Sequence, residues 1–273
     1  MKGTEWEKIL LAATERVRQR VSPLAKREGR GRTVGTGAAG DRTIFADKLA
    51  EDELLKAITK IEGVRVLSEE AGAVGDRGHT LAVVDPLDGS SNFERGIPFY
   101  CTSVAIVDGD SIEDVTLGVV RDLVTGDAYV GRRGGGATKN GKRIRTSKTV
   151  EPAHAVVGVD LSRSPPGLVS GLAPLVAGVK RQVHLGANAL ELCYLAEGRV
   201  DSFIDLRGRI RITDFAAAYL IAKEAGAEFT GPDGKELKPE FDLKHRFSFV
   251  ASANATIHKE ILELCKEAAP RGS

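Results

Sequence analysis

The fold and the chemistry of this 273-residue chain are decided by the segment Val83-Val84-Asp85-Pro86-Leu87-Asp88-Gly89-Ser90-Ser91-Asn92. A buried apolar strand runs directly into two aspartates that are separated by Pro-Leu. Because Pro86 removes a backbone donor and fixes φ, we expect a sharp turn that aims Asp85, Asp88 and the Leu87 carbonyl at one point. Mg²⁺ prefers such oxygen ligands and leaves positions for substrate oxygens.

Gly89 and Ser90 follow the second aspartate and are typical of the start of a helical turn. Its free N–H groups and a capping hydroxyl would receive a phosphate anion. The segment therefore predicts a metal site and a phosphate site in one loop. An alternative stays open, in which Asp85 and Asp88 are ordinary turn formers, since Asp, Pro, Gly and Ser all favour turns.

Composition excludes several classes of protein. The 39 Lys and Arg nearly cancel the 38 Asp and Glu, so the net charge gives no reason to expect nucleic acid or an anionic membrane as the main partner. Three widely spaced cysteines indicate neither a disulfide framework nor a zinc site. No stretch approaches the roughly 20 apolar residues of a membrane span. We expect a cytoplasmic protein.

Apolar periodicity predicts a mixed α/β chain. Helices are expected over residues 4–22 and 45–61, with short buried strands at 64–67 and 80–84 that end next to acidic clusters. Residues 27–43 are rich in Gly and Arg without an apolar period, which favours a mobile loop or a plain linker.

Three motifs together resemble a known family. The hexapeptide at 85–90 resembles the Asp-Pro-(Ile/Leu)-Asp-Gly-(Thr/Ser) signature of inositol monophosphatases, and Ser68-Glu69-Glu70 is similar to the upstream Glu-Glu element. Residues 212–218, with Glu224-Ala225-Gly226 behind them, resemble the second signature. Order and separation match from about Trp6 to Cys265. The chain is thus identified as a member of the inositol monophosphatase/fructose-1,6-bisphosphatase superfamily.

The resemblance implies an α/β (α+β) sugar-phosphatase fold with layers in the order α-β-α-β-α. Residues 1–150 would form an N-terminal α+β half that carries most metal ligands. Residues 151–273 would form a C-terminal α/β half that carries Asp214 and substrate contacts. The resemblance also implies a homodimer that acts on a small phosphorylated sugar or cyclitol, with neither nucleic acid nor membrane as a partner.

The implied reaction is Mg²⁺-dependent hydrolysis of fructose 1,6-bisphosphate, inositol 1-phosphate or both by a metal-activated water, with Mn²⁺ as a possible substitute. Two metals would share the ligands Glu69, Asp85, the Leu87 carbonyl, Asp88 and Asp214. Alternatives stay open for Asp214, as a helix N-cap, and for Glu70.

The resemblance assigns Glu70 and Ser90 to orientation and deprotonation of the attacking water. Asp41, in the Gly- and Arg-rich segment, is the candidate for a third metal position. Glu70 could instead be a solvated carboxylate outside the reacting centre.

Substrate contacts are expected from Asp88, Gly89, Ser90 and three arginines. Arg207 stands where animal inositol monophosphatases carry a Glu, and residues 205–214 resemble the Asp-x-Arg element of archaeal and thermophilic dual-activity enzymes. Arginine forks suit a second phosphate, so Arg207 and Arg209 are candidates. The family arginine three residues before Gly186 is Val183 here, and Lys180 or Arg181 could take its place. The arginines of residues 205–214 could alternatively keep an exposed strand edge soluble.

Two other functions stay open. A 3′(2′),5′-bisphosphate nucleotidase shares the metal motifs. Some bacterial relatives act in ribosomal RNA transcription, and Arg16, Arg18, Arg20 and residues 27–32 could form a basic face for such a role, although the near-zero net charge disfavours it.

Overall fold

The computed structural model describes residues 3–75 and 78–266. The helices are α1 (Gly3–Val21), α2 (Phe45–Ile58), α3 (Ser90–Arg95), α4 (Pro166–Gly171), α5 (Ala173–Gly178), α6 (Asn188–Ala196), α7 (Ala216–Ala225) and α8 (Ala255–Cys265). The strands are β1 (Thr33–Thr36), β2 (Arg42–Ile44), β3 (Val64–Ser68), β4 (Gly72–Val74), β5 (Thr80–Asp88), β6 (Cys101–Val107), β7 (Val115–Asp122), β8 (Ala128–Arg132), β9 (Gly136–Lys139), β10 (Lys142–Arg143), β11 (Val156–Val159), β12 (Arg181–Val183), β13 (Ser202–Ile210), β14 (Glu228–Thr230) and β15 (Phe247–Ser252). Single 3₁₀ turns lie at Ser22–Lys26, Ile112–Asp114 and Pro152–His154.

The strands form two large sheets and one hairpin. The first sheet has the order β10-β9-β8-β7-β6-β5-β3-β4, and the second has the order β12-β11-β13-β15-β14. In the first sheet β3 and β5 run parallel, so their carboxyl ends meet at one edge. The antiparallel pair β1 and β2 stands apart as a hairpin. Its turn, residues 37–41, lies above the end of β3.

Helices cover both faces of the first sheet. On the outer face, α1 and α2 bury a core that includes Leu10, Leu54 and Val119. On the inner face α7 packs directly on the sheet, because a Cβ on Gly118 would lie 2.3 Å from the Ala217 carbonyl oxygen. Only glycine permits this close approach.

The same helix α7 also contacts the second sheet, which it separates from the first. Phe215 stacks on Phe249 of β15 with 5.6 Å between ring centroids, and Tyr219 lies 4.8 Å from Phe229 of β14. On its far side the second sheet is covered by α8, which packs on β15. The resulting order α-β-α-β-α confirms the predicted layers.

Two local expectations were wrong. The strand predicted over 80–84 does not turn at Pro86 but continues as β5 to Asp88, with a shift in its pairing to β6 between Asp85 and Asp88. Proline cannot donate to the ladder, so it is accommodated where the pairing is interrupted. Residues 27–43, expected as a loop, contain the β1–β2 hairpin.

Candidate active site

Three carboxylates from different elements converge where β3 and β5 end. Glu69 follows β3, Asp85 lies in β5, and Asp214 precedes α7 in the second half of the chain. One oxygen of each lies within 4.8 Å of the others. The parallel pairing of β3 and β5 brings the first two together, and the packing of α7 between the sheets supplies the third.

Burial favours the protonated form of all three groups. Burial, together with the charge of Asp214, raises the pKa of Glu69 well above its usual range. Burial and the charge of Glu69 do the same to the pKa of Asp85, and burial raises the pKa of Asp214. Crowded, desolvated carboxylates of this kind fit a hard divalent cation, which would neutralise them with oxygen ligands.

Asp88, the other predicted carboxylate ligand, lies beside this group but is not one of the three. Its Oδ2 accepts a hydrogen bond from the Ala189 N–H (2.7 Å) at the start of α6 and one from the Cys101 thiol (3.6 Å). Burial and the charge of Asp214 raise the pKa of Asp88 to about 7. The start of α6 therefore holds Asp88 in place, as a helix N-terminus holds an anion.

The segment from Asp85 to Ser90 is fixed by hydrogen bonds between its own residues. The Leu87 N–H donates to Asp85 Oδ1 (3.1 Å), and the Ser90 hydroxyl donates to the Leu87 carbonyl (3.2 Å). Gly89 has φ = 87°, and a Cβ there would lie 3.0 Å from the Phe99 carbonyl oxygen. A glycine is thus required at this turn, and the Leu87 carbonyl keeps a second lone pair for another ligand.

Glu70 lies beneath the β1–β2 hairpin. The Thr43 hydroxyl donates to its carboxylate, and the Ala38 N–H donates to its backbone carbonyl (2.8 Å). Burial raises the pKa of Glu70. Because its pKa is raised, the Glu70 carboxylate is a stronger proton acceptor than an ordinary glutamate.

Arg211 is the site residue that the sequence prediction missed. Its guanidinium bonds both Glu69 and Asp41, and its backbone N–H donates to Asp214 Oδ2 (2.8 Å). The N-cap of α7 is Phe215, so Asp214 is not the N-cap of that helix. The run of arginines before Asp214 was the feature of the sequence that could have indicated Arg211. Regular alternation of side chains along a strand, however, would have placed Arg211 on the same side as Arg207.

The comparisons with known proteins agree with this geometry. Residues 5–269 match the Inositol monophosphatase family. The chain is 36% identical over 262 residues to the fructose-1,6-bisphosphatase/inositol-1-monophosphatase of Thermococcus kodakarensis, which covers 96% of this chain and 98% of the relative. The enzyme of the same description from Archaeoglobus fulgidus is 37% identical over 254 residues, with 92% and 94% covered.

This chain belongs to the inositol monophosphatase family. It is accordingly a phosphatase. A solved structure from Pyrococcus horikoshii, described as a hypothetical protein with similarities to inositol-1 monophosphatase, superimposes with a TM-score of 0.84 at 31% identity. That alignment covers 96% of this chain and 98% of the solved one. Within the described ranges, no helix combines the length and the apolar character that crossing a membrane requires.

The three arginines that were predicted to contact the substrate have surroundings different from those of Arg211. Arg207, with 10% of its side chain exposed, is held by Asp205 and by Asp160, whose Oδ2 lies 2.5 Å from Nη2. Arg209 is exposed, and Arg181 is exposed on the edge strand β12. Neither takes part in an ion pair among the residues that the structure describes.

An open cavity of about 470 Å³ adjoins the predicted phosphate loop. Its lining includes Ser91 and Asn92 of α3 and, from the second half of the chain, Asp160, His184 and Asn188. The Asn92 amide donates to the Leu185 carbonyl (2.7 Å), which ties these two parts of the lining together. Most of this lining had no signal in the sequence, because it comes from segments about 70 to 100 residues apart.

Proposed function

We propose that this phosphatase is a Mg²⁺-dependent phosphomonoesterase that hydrolyses fructose 1,6-bisphosphate and inositol 1-phosphate. The observation that carries the proposal is the convergence of Glu69, Asp85 and Asp214 within 4.8 Å. Mg²⁺ bound there would supply an acidified water and a counter-charge for the phosphate, and Mn²⁺ could substitute. The Leu87 carbonyl and Asp88 would complete the set of ligands.

Glu70 is proposed to deprotonate the attacking water, and Ser90 is proposed to orient it. Glu70 would take one proton from the water as the water oxygen bonds to phosphorus and the bond from phosphorus to the ester oxygen breaks. The leaving oxygen would take up a proton from solvent, and Glu70 would return its proton to solvent, giving an alcohol and inorganic phosphate. The Thr43 hydroxyl, which donates to Glu70, would hold that carboxylate in place. The Ser90 hydroxyl would orient the water, and its bond to the Leu87 carbonyl supports this position.

The cavity beside Ser91 supports a polyhydroxyl substrate. Its walls offer the Asn188 amide, the Asp160 carboxylate and the His184 ring. Donors and acceptors of these kinds pair with the hydroxyls of a sugar or cyclitol. We place the phosphate of the substrate at Asp88, Gly89 and Ser90, and the remainder of the substrate toward Arg207 and Arg209. Arg181 stays a predicted contact.

The names of the relatives support the same pair of substrates. The Thermococcus and Archaeoglobus proteins are both described as fructose-1,6-bisphosphatase/inositol-1-monophosphatase. The two-half organisation (1–150 and 151–273), the homodimer and the cytoplasmic location stay predictions of ours. Light scattering on the purified protein tests the dimer.

A phosphate-release assay tests the proposed function. The purified protein is given fructose 1,6-bisphosphate, inositol 1-phosphate or adenosine 3′,5′-bisphosphate, each with Mg²⁺ and with a chelator. We expect turnover of the first two with Mg²⁺ only. A preference for the nucleotide would replace the proposed substrates with those of a bisphosphate nucleotidase, and no turnover of any ester would remove the enzymatic proposal.

A further inference from the structure

The two glutamates of the site, Glu69 and Glu70, belong to a turn of three residues, 69–71, which joins the antiparallel strands β3 and β4. The Glu69 N–H continues the pairing of β3 with β5 by donating to the Val84 carbonyl (3.2 Å). Because both carboxylates belong to this turn, the position of its backbone sets where their oxygens lie.

Glu51 of α2 fastens this turn on both of its flanks with one oxygen. Glu51 Oε1 accepts a hydrogen bond from the Ser68 hydroxyl (2.6 Å), just before the two glutamates, and one from the Ala71 N–H (2.7 Å), just after them. Glu51 and Ser68 are buried, with 1% and 0% of their surface exposed. The helix α2 also packs on β3 and β5, so the acceptor oxygen is held by the core beneath the site.

The Glu51 carboxylate is not buried in order to form a close ion pair. Lys48 Nζ lies 3.6 Å from Glu51 Oε2 but only 2.8 Å from Asp52 Oδ1, and the Lys48 side chain is 51% exposed. By contrast, Glu53 of the same helix is paired with Arg20. A buried carboxylate costs more free energy than apolar packing as a means of joining a helix to a strand. The two donors that flank the glutamates give Glu51 a role that packing alone does not require.

We propose that Glu51 is a positioning residue, which fixes the turn 69–71 so that Glu69 meets Asp85 and Asp214 without a rearrangement of the backbone. Its effect on metal binding rests on the proposed function, whereas the fastening of the turn does not. Residues that orient the ligands of a metal are typically worth about 10- to 100-fold in metal affinity. Glu51 would act in this way through Glu69, without touching the cation or the substrate.

Calorimetric titration with Mg²⁺ tests the positioning role in the wild type, Glu51→Ala and Glu51→Gln. Glu51→Ala is expected to bind Mg²⁺ roughly tenfold more weakly, because the turn loses both hydrogen bonds. Glu51→Gln keeps a carbonyl oxygen that can accept from both donors, so its affinity should stay within roughly twofold of the wild type. Wild-type affinity in Glu51→Ala would overturn the proposal. An equal loss in both variants would assign the effect to the charge of Glu51 and would also overturn it.

Asp201→Ala is the matched control for loss of a buried carboxylate. Asp201 is 6% exposed and accepts the same two kinds of bond, one from the Ser147 hydroxyl and one from the Val156 N–H (2.7 Å). This variant is expected to lower the melting temperature and to leave the Mg²⁺ affinity unchanged. A loss of affinity equal to that of Glu51→Ala would show a general effect of lower stability and overturn the positioning role.

Hydrogen exchange of the Glu69 amide in chelator tests the fastening without metal. Exchange should be roughly tenfold faster in Glu51→Ala than in the wild type, and unchanged in Glu51→Gln. Should Glu51→Ala not fold, Ser68→Ala removes one of the two donors and is expected to accelerate exchange roughly threefold. Exchange at the wild-type rate in a folded Glu51→Ala or Ser68→Ala variant would overturn the fastening.

The two failures are distinguishable. If the wild type binds no Mg²⁺, the proposed function fails, while the exchange of the Glu69 amide still decides the fastening. If the wild type binds Mg²⁺ and Glu51→Ala binds it equally well, the proposed function stands and the positioning role is wrong.

Discussion

Two strands of this molecule are interrupted where they approach the carboxylates, one in each sheet. In β5 the pairing shifts between Asp85 and Asp88, and in β13 it shifts between Asp205 and Ile210. The first interruption keeps both of its aspartates buried beside the site. At the second interruption, Arg207 lies in a clamp formed by the carboxylates of Asp160 and Asp205, and Arg209 is exposed.

The two interruptions differ in whether the local sequence is sufficient to determine the positions of the side chains at the site. In β5 the proline and Gly89 act on adjacent residues, so the motif itself contains the cause of its geometry. In β13 the irregularity includes Gly208 with φ = 62°, and the destinations of the arginines are set by Asp160, Glu69 and other distant residues. The bond of Arg207 to Asp160 and the bonds of Arg211 to Glu69 and Asp41 are tertiary.

The largest effect at the site beside β5 is expected from removing a proposed metal ligand. Asp88→Asn and Asp214→Asn are each expected to lower turnover more than roughly 100-fold, because each removes the charge of a proposed ligand and leaves the packing unchanged. Phosphate release and thermal unfolding are measured together. Turnover near that of the wild type in either variant, with the fold intact, would contradict the assignment of that ligand.

The ion pairs at the interruption of β13 are removed by Arg207→Ala. This variant leaves Asp205 and Asp160 buried next to each other without their cation, which is expected to cost about 3 kcal/mol of unfolding free energy. The melting temperature should fall by roughly 5 to 10 °C. A melting temperature equal to that of the wild type would mean that the clamp contributes nothing.

The same variant also tests the predicted role of Arg207 in substrate binding. If the Arg207 guanidinium contacts the second phosphate, the variant should lower kcat/KM for fructose 1,6-bisphosphate roughly ten- to a hundred-fold more than kcat/KM for inositol 1-phosphate. Equal losses on both substrates would leave Arg207 as a residue that supports the site through Asp160 and Asp205.

The sequence predicted the β5 side of the site and little of the β13 side. The convergence of Glu69 and Asp85 follows from acidic residues at the ends of two strands, which turn out to be parallel neighbours. Arg211 was not predicted, because its partners lie 142 and 170 residues away. The order of the layers came from the family resemblance, since apolar periodicity alone indicates only mixed α/β.

The dependence of stability on pH gives a further test of the carboxylates at the end of β5. The folded, metal-free protein keeps a proton on Asp88 up to about pH 7, whereas the unfolded chain loses it near pH 4. The folded state therefore binds more protons between these values, and stability falls as pH rises from about 4 to 7. In chelator, calorimetry should show a shallower fall of the melting temperature for Asp88→Asn. An identical slope would contradict the shifted pKa.

The smallest effect is expected for Arg209→Ala. The side chain is exposed, so the unfolding free energy should change by no more than about 0.5 kcal/mol. Denaturant unfolding measures this, and a larger loss would show that Arg209 shares the tertiary contacts of its neighbours. A selective loss on fructose 1,6-bisphosphate would transfer the predicted phosphate contact from Arg207 to Arg209.

The dependence of turnover on a divalent cation tests the central claim most directly. The protein is stripped with a chelator, dialysed, and assayed on inositol 1-phosphate while Mg²⁺ is added back. Because Glu69, Asp85 and Asp214 are crowded and desolvated, we expect no phosphate release without metal and a saturable rise with Mg²⁺. Full activity in the stripped protein, before any Mg²⁺ is added, would contradict the account.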